Sequence, residues 1–242
     1  AKDSVSIGMR LEPSPGLDPT TGAAAAISQV TLYNIFEGLT RLDGGGGVLP
    51  LLAKSWTISD DGTTYTFSLE SDVVYHNGAA FDSGDVKAQF ERNAAEDSSN
   101  KSKDLFSSIV SIATPDAHTV IVTLPSANAV FPFFLAQAPA AILDQEAYAD
   151  ANTNPIGTGP YQFVKWTKGD SVTLNKFYKY RNAGDVQIDN VQFRFINDAA
   201  AQVAAVIAAE GHEVDIGGVQ DHLDPEQDIE HVAPAHDRHH AQ

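Results

Sequence analysis

A chain of 242 residues with 43% apolar residues is long enough for one large domain or two small ones, and its apolar share excludes a wholly disordered polypeptide. It contains no run of about 18 apolar residues, so no stretch of it reads as a transmembrane helix. A formal net charge of −17 repels phosphate backbones and anionic lipid, so nucleic acid is not an expected partner. With no cysteine, a disulfide framework and a thiol nucleophile are both excluded.

The N-terminus Ala1-Lys2-Asp3-Ser4 runs straight into the alternation Val5-Ser6-Ile7-Gly8-Met9, as a chain does after a signal peptide has been cut behind a small residue. Export is the expectation. The alternation predicts a first strand. A Pro/Gly-rich loop follows, and residues 23–39 read as a helix carried by Ile27, Val30, Tyr33, Ile35 and Phe36. The four glycines Gly44 to Gly47 read as a hairpin turn. A phosphate loop would need a following helix and a well-placed Lys, and neither is present.

From Trp56 the pattern becomes β, with Thr64 to Leu69 as the hairpin partner across Asp60-Asp61-Gly62. Asp82 is placed to cap a helix that buries Val86 and Phe90, with Asp85 adding negative charge at the helix start. Residues 103–112 predict a second helix, 119–124 a strand and 131–136 a short helical turn. Strands follow at 162–166, 171–175 and 191–196, then an Ala-rich helix capped by Asp198 and a last strand at 214–216. The mixture is α/β with many hairpins. Residues 221–242 carry five of the eight His and three large apolar residues, and read as an acidic, His-rich tail with too little apolar surface to order itself.

Several patterns admit a chemical reading. Asp60/Asp61 and Asp82/Asp85 are carboxylate pairs of the kind a glycosidase uses, but the first sits in a turn and the second at a helix start, where Asp is favoured structurally. Ser107 and Ser108 lack a His/Asp partner arrangement. His236, His239 and His240 with Asp237 offer a nickel-type metal site, although short His tracts in a flexible tail bind metal weakly and unselectively. His76 and His118 stand alone and read as turn or surface residues.

Taken in order, the runs Tyr33-Asn34-Ile35-Phe36-Glu37-Gly38-Leu39-Thr40-Arg41-Leu42, Leu49-Pro50-Leu51-Leu52-Ala53-Lys54-Ser55-Trp56 and Ser59-Asp60-Asp61-Gly62-Thr63-Thr64-Tyr65-Thr66-Phe67 carry a family pattern. Val74-Tyr75-His76-Asn77-Gly78, Phe81 to Lys87, Asn154-Pro155-Ile156-Gly157-Thr158-Gly159-Pro160-Tyr161 and Gly211 to Ile216 continue it. Over residues 5–217 the chain resembles the family-5 extracellular solute-binding proteins that serve dipeptide, oligopeptide and nickel importers. The resemblance implies one lobe of the type II periplasmic-binding-protein fold with an inserted β-rich subdomain and the second lobe missing. Residues 1–47 and 161–220 would form the lobe core, and 48–160 the insertion.

It also implies a peptide or related small polar solute as ligand, an inner-membrane ABC permease as partner, a periplasmic location, no cofactor and no catalysis. A lone lobe is expected to bind weakly, because closure of this fold depends on ligand contacts to both lobes. The loop Thr20-Thr21-Gly22-Ala23 resembles the segment that faces the ligand cleft. Its hydroxyls and exposed backbone suit a ligand's polar ends, while Thr20 or Thr21 could instead, or as well, cap the following helix.

Overall fold

The computed structural model describes residues 3–208 and 214–215. The elements in chain order are β1 (Ser4–Met9), α1 (Ala25–Thr31), β2 (Thr40–Leu42), β3 (Val48–Pro50), β4 (Ala53–Ile58), β5 (Thr64–Leu69), α2 (Ser83–Ala94) and α3 (Lys103–Ser107). Then come β6 (Ser111–Asp116), β7 (Thr119–Thr123), α4 (Phe131–Phe134), β8 (Tyr161–Thr167), β9 (Ser171–Lys176), β10 (Asn190–Phe195), α5 (Ala199–Ala208) and β11 (Val214–Asp215). The tail at 221–242 lies outside the described residues.

Two sheets organise the molecule. A five-stranded sheet runs β11-β1-β10-β9-β8, with β1 parallel to both β10 and β11 and the other neighbours antiparallel. A four-stranded antiparallel sheet runs β4-β5-β7-β6. Each has its own core. Tyr65, Phe67, Phe90, Val120, Val122 and Phe131 are buried between the four-stranded sheet and the helices α2 and α4. Met9, Ile35, Phe36, Val172, Leu174 and Phe193 are buried beside the larger sheet, with Ala26 and Val30 of α1 against them. In β5 the buried positions Tyr65, Phe67 and Leu69 alternate with half-exposed ones, the period-two signature of a strand with one covered face.

Two helices are shorter than the sequence predicts. The helix expected over 23–39 covers only Ala25–Thr31, because Leu32 turns extended and Tyr33 takes φ +62°. Tertiary contacts hold that break. The Tyr33 hydroxyl donates to the Ala136 carbonyl and accepts from the Leu42 N–H, while the Asn34 carbonyl accepts from the Tyr161 N–H at 2.9 Å. The helix expected over 103–112 ends at Ser107, where the Ser108 hydroxyl donates to the Leu105 carbonyl at 2.7 Å. Ser111 and Ile112 then join β6 opposite Thr123 and Val122. β-Branched Ile109, Val110 and Ile112 suit the sheet once β7 offers an edge.

The caps follow the sequence. The Asp82 carboxylate accepts from the Gly84 N–H at 2.7 Å, and Asp85 returns to the Asp82 N–H at 2.9 Å, a closed capping box at the start of α2. The Asp198 carboxylate accepts from the Ala201 N–H at 2.7 Å at the start of α5. In the hairpin between β2 and β3, one Asp43 oxygen accepts from Gly45 and Gly47.

The turn at 154–161 does more than let the chain bend. A Cβ on Gly157 would stand 2.1 Å from the Ile35 carbonyl oxygen, and one on Gly159 would stand 2.3 Å from that of Asn34. These two glycines let the strand leading into β8 lie against the backbone that follows α1. The carbonyls are backbone and cannot step aside. Gly157→Ala should therefore destabilise the chain by about 1–3 kcal/mol, more than an exposed glycine such as Gly184, and urea unfolding of the two variants checks it.

Candidate functional site

The loop that leaves the carboxyl end of β1 contains all four residues singled out in the sequence. In open α/β sheets, ligands bind beyond the carboxyl ends of parallel strands. Asp18 is fully buried at the base of this loop. Its Oδ1 accepts from the Thr20 N–H at 2.8 Å and the Thr20 hydroxyl at 2.6 Å. Its Oδ2 accepts from Arg92 Nη2 at 2.7 Å, and Arg92 Nη1 donates to the Thr20 oxygen at 2.8 Å. Arg92, in the last turn of α2, also lies over the Tyr148 ring, 4.3 Å from its centroid.

Thr20 therefore has both its donor and an acceptor position engaged inside the protein, and acts as the anchor of the loop. Thr21 is half-buried. Its hydroxyl reaches the Asp18 carbonyl only at 3.5 Å, and its carbonyl accepts from the Ser99 hydroxyl at 3.2 Å. Neither threonine caps α1, because the position before the helix is Ala24 and has no side-chain bond. The capping alternative fails because the helix begins later than the sequence suggests and both threonines turn toward Asp18. At Gly22 a Cβ would meet the Ile27 Cδ1 at 2.3 Å, so glycine brings the chain close over α1. Ala23 is exposed. Among the described residues no hydrogen bond engages the N–H of Ala23 or Ala24.

Sequence reasoning reached the loop but missed Asp18 and Arg92. Asp18 sits in a turn-forming Asp-Pro-Thr-Thr run that signals only local structure. Arg92 is 74 positions away, where nothing local marks it as a loop anchor.

A second polar centre joins the two cores. Glu37 is 1% exposed and receives four hydrogen bonds. Arg181 donates to both carboxylate oxygens at 2.8 and 2.9 Å, Thr158 at 2.9 Å and the Tyr180 hydroxyl at 3.1 Å. Burial, then the Glu37 charge, pushes the Tyr180 phenol up to about 12.

His76 stands nearby and departs from its reading as an isolated turn or surface residue. Its Nε2 donates to the Gly159 carbonyl at 3.0 Å, its Nδ1 accepts from the Gly157 N–H at 3.4 Å, and its ring meets Phe177 edge-on at 4.9 Å. Burial lowers its pKa to about 4, against a smaller raising effect of the Gly159 bond. His118, in contrast, is exposed.

The carboxylate pairs take structural roles. Asp61 accepts from the Ser59 hydroxyl and from the Thr63 N–H and hydroxyl, which hold it below the usual carboxylate range. Burial pushes Asp85 up to about 6, within its capping box. Ser107 and Ser108 donate to the Ala94 and Leu105 carbonyls at 3.2 and 2.7 Å.

Comparison with known proteins agrees with this architecture. The family model for bacterial extracellular solute-binding proteins, family 5 Middle, matches residues 47–230. A glutathione-binding protein GsiB from Salmonella paratyphi A is 33% identical over 198 residues, which are 80% of this chain and 38% of that protein. The chain thus spans well under half the length of the curated relatives it matches. Among solved structures, the binding protein AgaA from A. tumefacien R10, in complex with agropinic acid, superposes with a TM-score of 0.80 at 30% identity, over 86% of this chain and 42% of that one. NikZ from Campylobacter jejuni, in complex with Ni(L-His), gives 0.77 at 29% identity, over 87% of this chain and 42% of that one. The parallel β1/β10 pair, the glycine-tight turn before β8, the capping box of α2 and the family match along most of the sequence agree: the chain belongs to the bacterial extracellular solute-binding proteins of family 5.

Proposed function

We propose that this chain is the ligand-receiving first lobe of the solute-binding component of a periplasmic ABC importer, taking a peptide or a related small polar solute and catalysing nothing. The observation that carries the reading is the loop at Gly22, Ala23 and Ala24. It lies beyond the carboxyl end of β1, is fixed from beneath by Asp18 and Arg92 and by the Gly22 N–H, which donates to the Asp18 carbonyl at 3.1 Å, and presents the Ala23 and Ala24 N–H groups, which the described residues leave without partners. Such a loop offers main-chain donors to a ligand carboxylate or peptide carbonyl. The ligands of the relatives, glutathione, agropinic acid and Ni(L-His), are all small polar molecules bearing carboxylates.

In this reading residues 1–47 and 161–220 are the lobe core and 48–160 the inserted subdomain, supported by the separate cores of the two sheets. The permease of the inner membrane is the proposed partner. Thr20 is an anchor beneath the site, and Thr21, Gly22 and Ala23 are its surface. A second lobe closing over the ligand would supply the remaining contacts, so this chain by itself should bind more weakly than a two-lobed form.

Ala24→Pro tests the loop directly. Ala24 has φ −69°, which proline adopts without strain, so the substitution deletes one N–H and leaves the fold intact. In a two-lobed form, affinity for a peptide or glutathione should fall by about 1–3 kcal/mol with an unchanged or slightly raised melting temperature. Calorimetry against a panel of di- and tripeptides, glutathione and Ni(L-His) checks both statements. Unchanged affinity would remove the loop from the site, and sub-micromolar binding by the present chain would remove the need for a second lobe.

A further inference from the structure

A cavity of about 450 Å³ opens between the β2–β3 hairpin and residues 180–186. None of the residues that line it belongs to the candidate loop. Its volume is that of a small-ligand pocket, and it lies where the two cores meet, a common place for such pockets.

The Glu37–Arg181 pair lines the cavity, where Arg181 turns two of its guanidinium N–H groups, Thr158 and Tyr180 their hydroxyls, to the Glu37 carboxylate. What remains is a distinctive set. Arg41, exposed on β2, has no ion-pair partner among the described residues, and the Glu70 and Asp185 carboxylates have none either. Tyr33, Tyr180 and Leu51 supply faces for an aliphatic stem. One guanidinium and two carboxylates around such faces are complementary to a molecule with one carboxylate, two ammonium groups and a methylene chain.

We propose that this cavity is a second binding site, distinct from the importer cleft, for a basic α-amino acid. The ligand carboxylate meets the Arg41 fork, its ammonium groups meet Glu70 and Asp185, and its stem lies along the tyrosine rings. Arg41 is suited to this role because its planar fork pairs with a carboxylate through two parallel bonds.

The experiment is titration of the purified chain with L-lysine, L-norleucine, which lacks the side-chain ammonium, and cadaverine, which lacks the carboxylate. The expected result is saturable, one-to-one binding of L-lysine, with each analogue weaker by about tenfold or more. Arg41→Ala should erase the preference for L-lysine over cadaverine, and Glu70→Gln the preference over L-norleucine. Ala24→Pro, in the loop, should leave L-lysine binding unchanged. Melting curves confirm that each variant is folded. Should a variant fail to fold, amide shifts on adding L-lysine to the wild-type chain decide instead, expected at Tyr180 and Asp185 and overturning the proposal if absent. It is also overturned by no saturable binding, by equal binding of the three compounds, or by loss of L-lysine binding in Ala24→Pro, which would place the ligand at the importer loop.

Discussion

Glu37→Ala should destabilise this chain by about 3–5 kcal/mol, the range for breaking a buried ion pair by removing one partner. Glu37 is almost wholly buried and answers Arg181, Thr158 and Tyr180 at once. Removing it leaves a largely buried guanidinium with no counter-charge and two hydroxyls with no acceptor, each a desolvation penalty. Arg181→Ala should cost less, because Thr158 and Tyr180 still donate to the carboxylate. The double variant should lose less than the sum of the two singles, since the penalty for either orphaned charge disappears when both are gone. Urea unfolding of the four proteins gives the cycle. A loss below about 1 kcal/mol for Glu37→Ala would mean that the pair contributes no more than a surface salt bridge.

The second large effect is a dependence of stability on pH through His76. With a folded pKa of about 4 and an ordinary value of 6.5, His76 is neutral in the fold across a range where the unfolded chain would protonate it. Its contribution is complete above pH 6.5 and is lost as pH falls from 6.5 toward 4, a total of about 3 kcal/mol. The physical event is plain. A proton on Nδ1 turns the acceptor of the Gly157 N–H into a donor facing a donor.

Asp85 works in the opposite direction. Its folded pKa, pushed up to about 6 from 3.8, gives a contribution that is complete below pH 3.8 and lost as pH rises toward 6. In the intact chain the two effects offset between pH 6 and 4, so the profile there should be nearly flat. Asp85→Asn should uncover a fall in stability on acidification, and His76→Gln should uncover a rise. Urea midpoints from pH 7 to pH 4 on the three proteins read these slopes directly. Parallel profiles for the wild type and His76→Gln would show that the imidazole is not held neutral by the fold.

Both effects rest on residues whose importance is invisible locally. His76 stands in a short Tyr-His-Asn-Gly turn, and its partners are 81 and 83 positions away. Glu37 sits in an apolar run where one carboxylate looks like a solvated face, and its partner Arg181 is 144 positions distant. The glycines at 157 and 159 advertise a bend, yet the bend matters because the backbone of Asn34 and Ile35 occupies the space a side chain would need. Local pattern carries the conformational preference of a segment. It does not carry the neighbour that the fold brings to it.

The sequence by itself determined the elements whose physics is local. The alternation of β5, β7 and β10 was legible as a period-two burial pattern, and the capping carboxylates at Asp82 and Asp198 and the turn at Asp61 were legible because their hydrogen-bond partners lie within a few residues. The ordered series of such segments was also enough to mark the family and its α/β lobe. Tertiary structure decided where helices stop, because the Tyr33 hydroxyl bonds the Ala136 carbonyl and the Asn34 carbonyl accepts from the Tyr161 N–H, and because β7 offers an edge to residues 111–116. It also decided the role of each threonine in the loop. Thr20 is drawn inward by a buried Asp18 and an arginine from another helix, while Ala23 beyond it stays exposed.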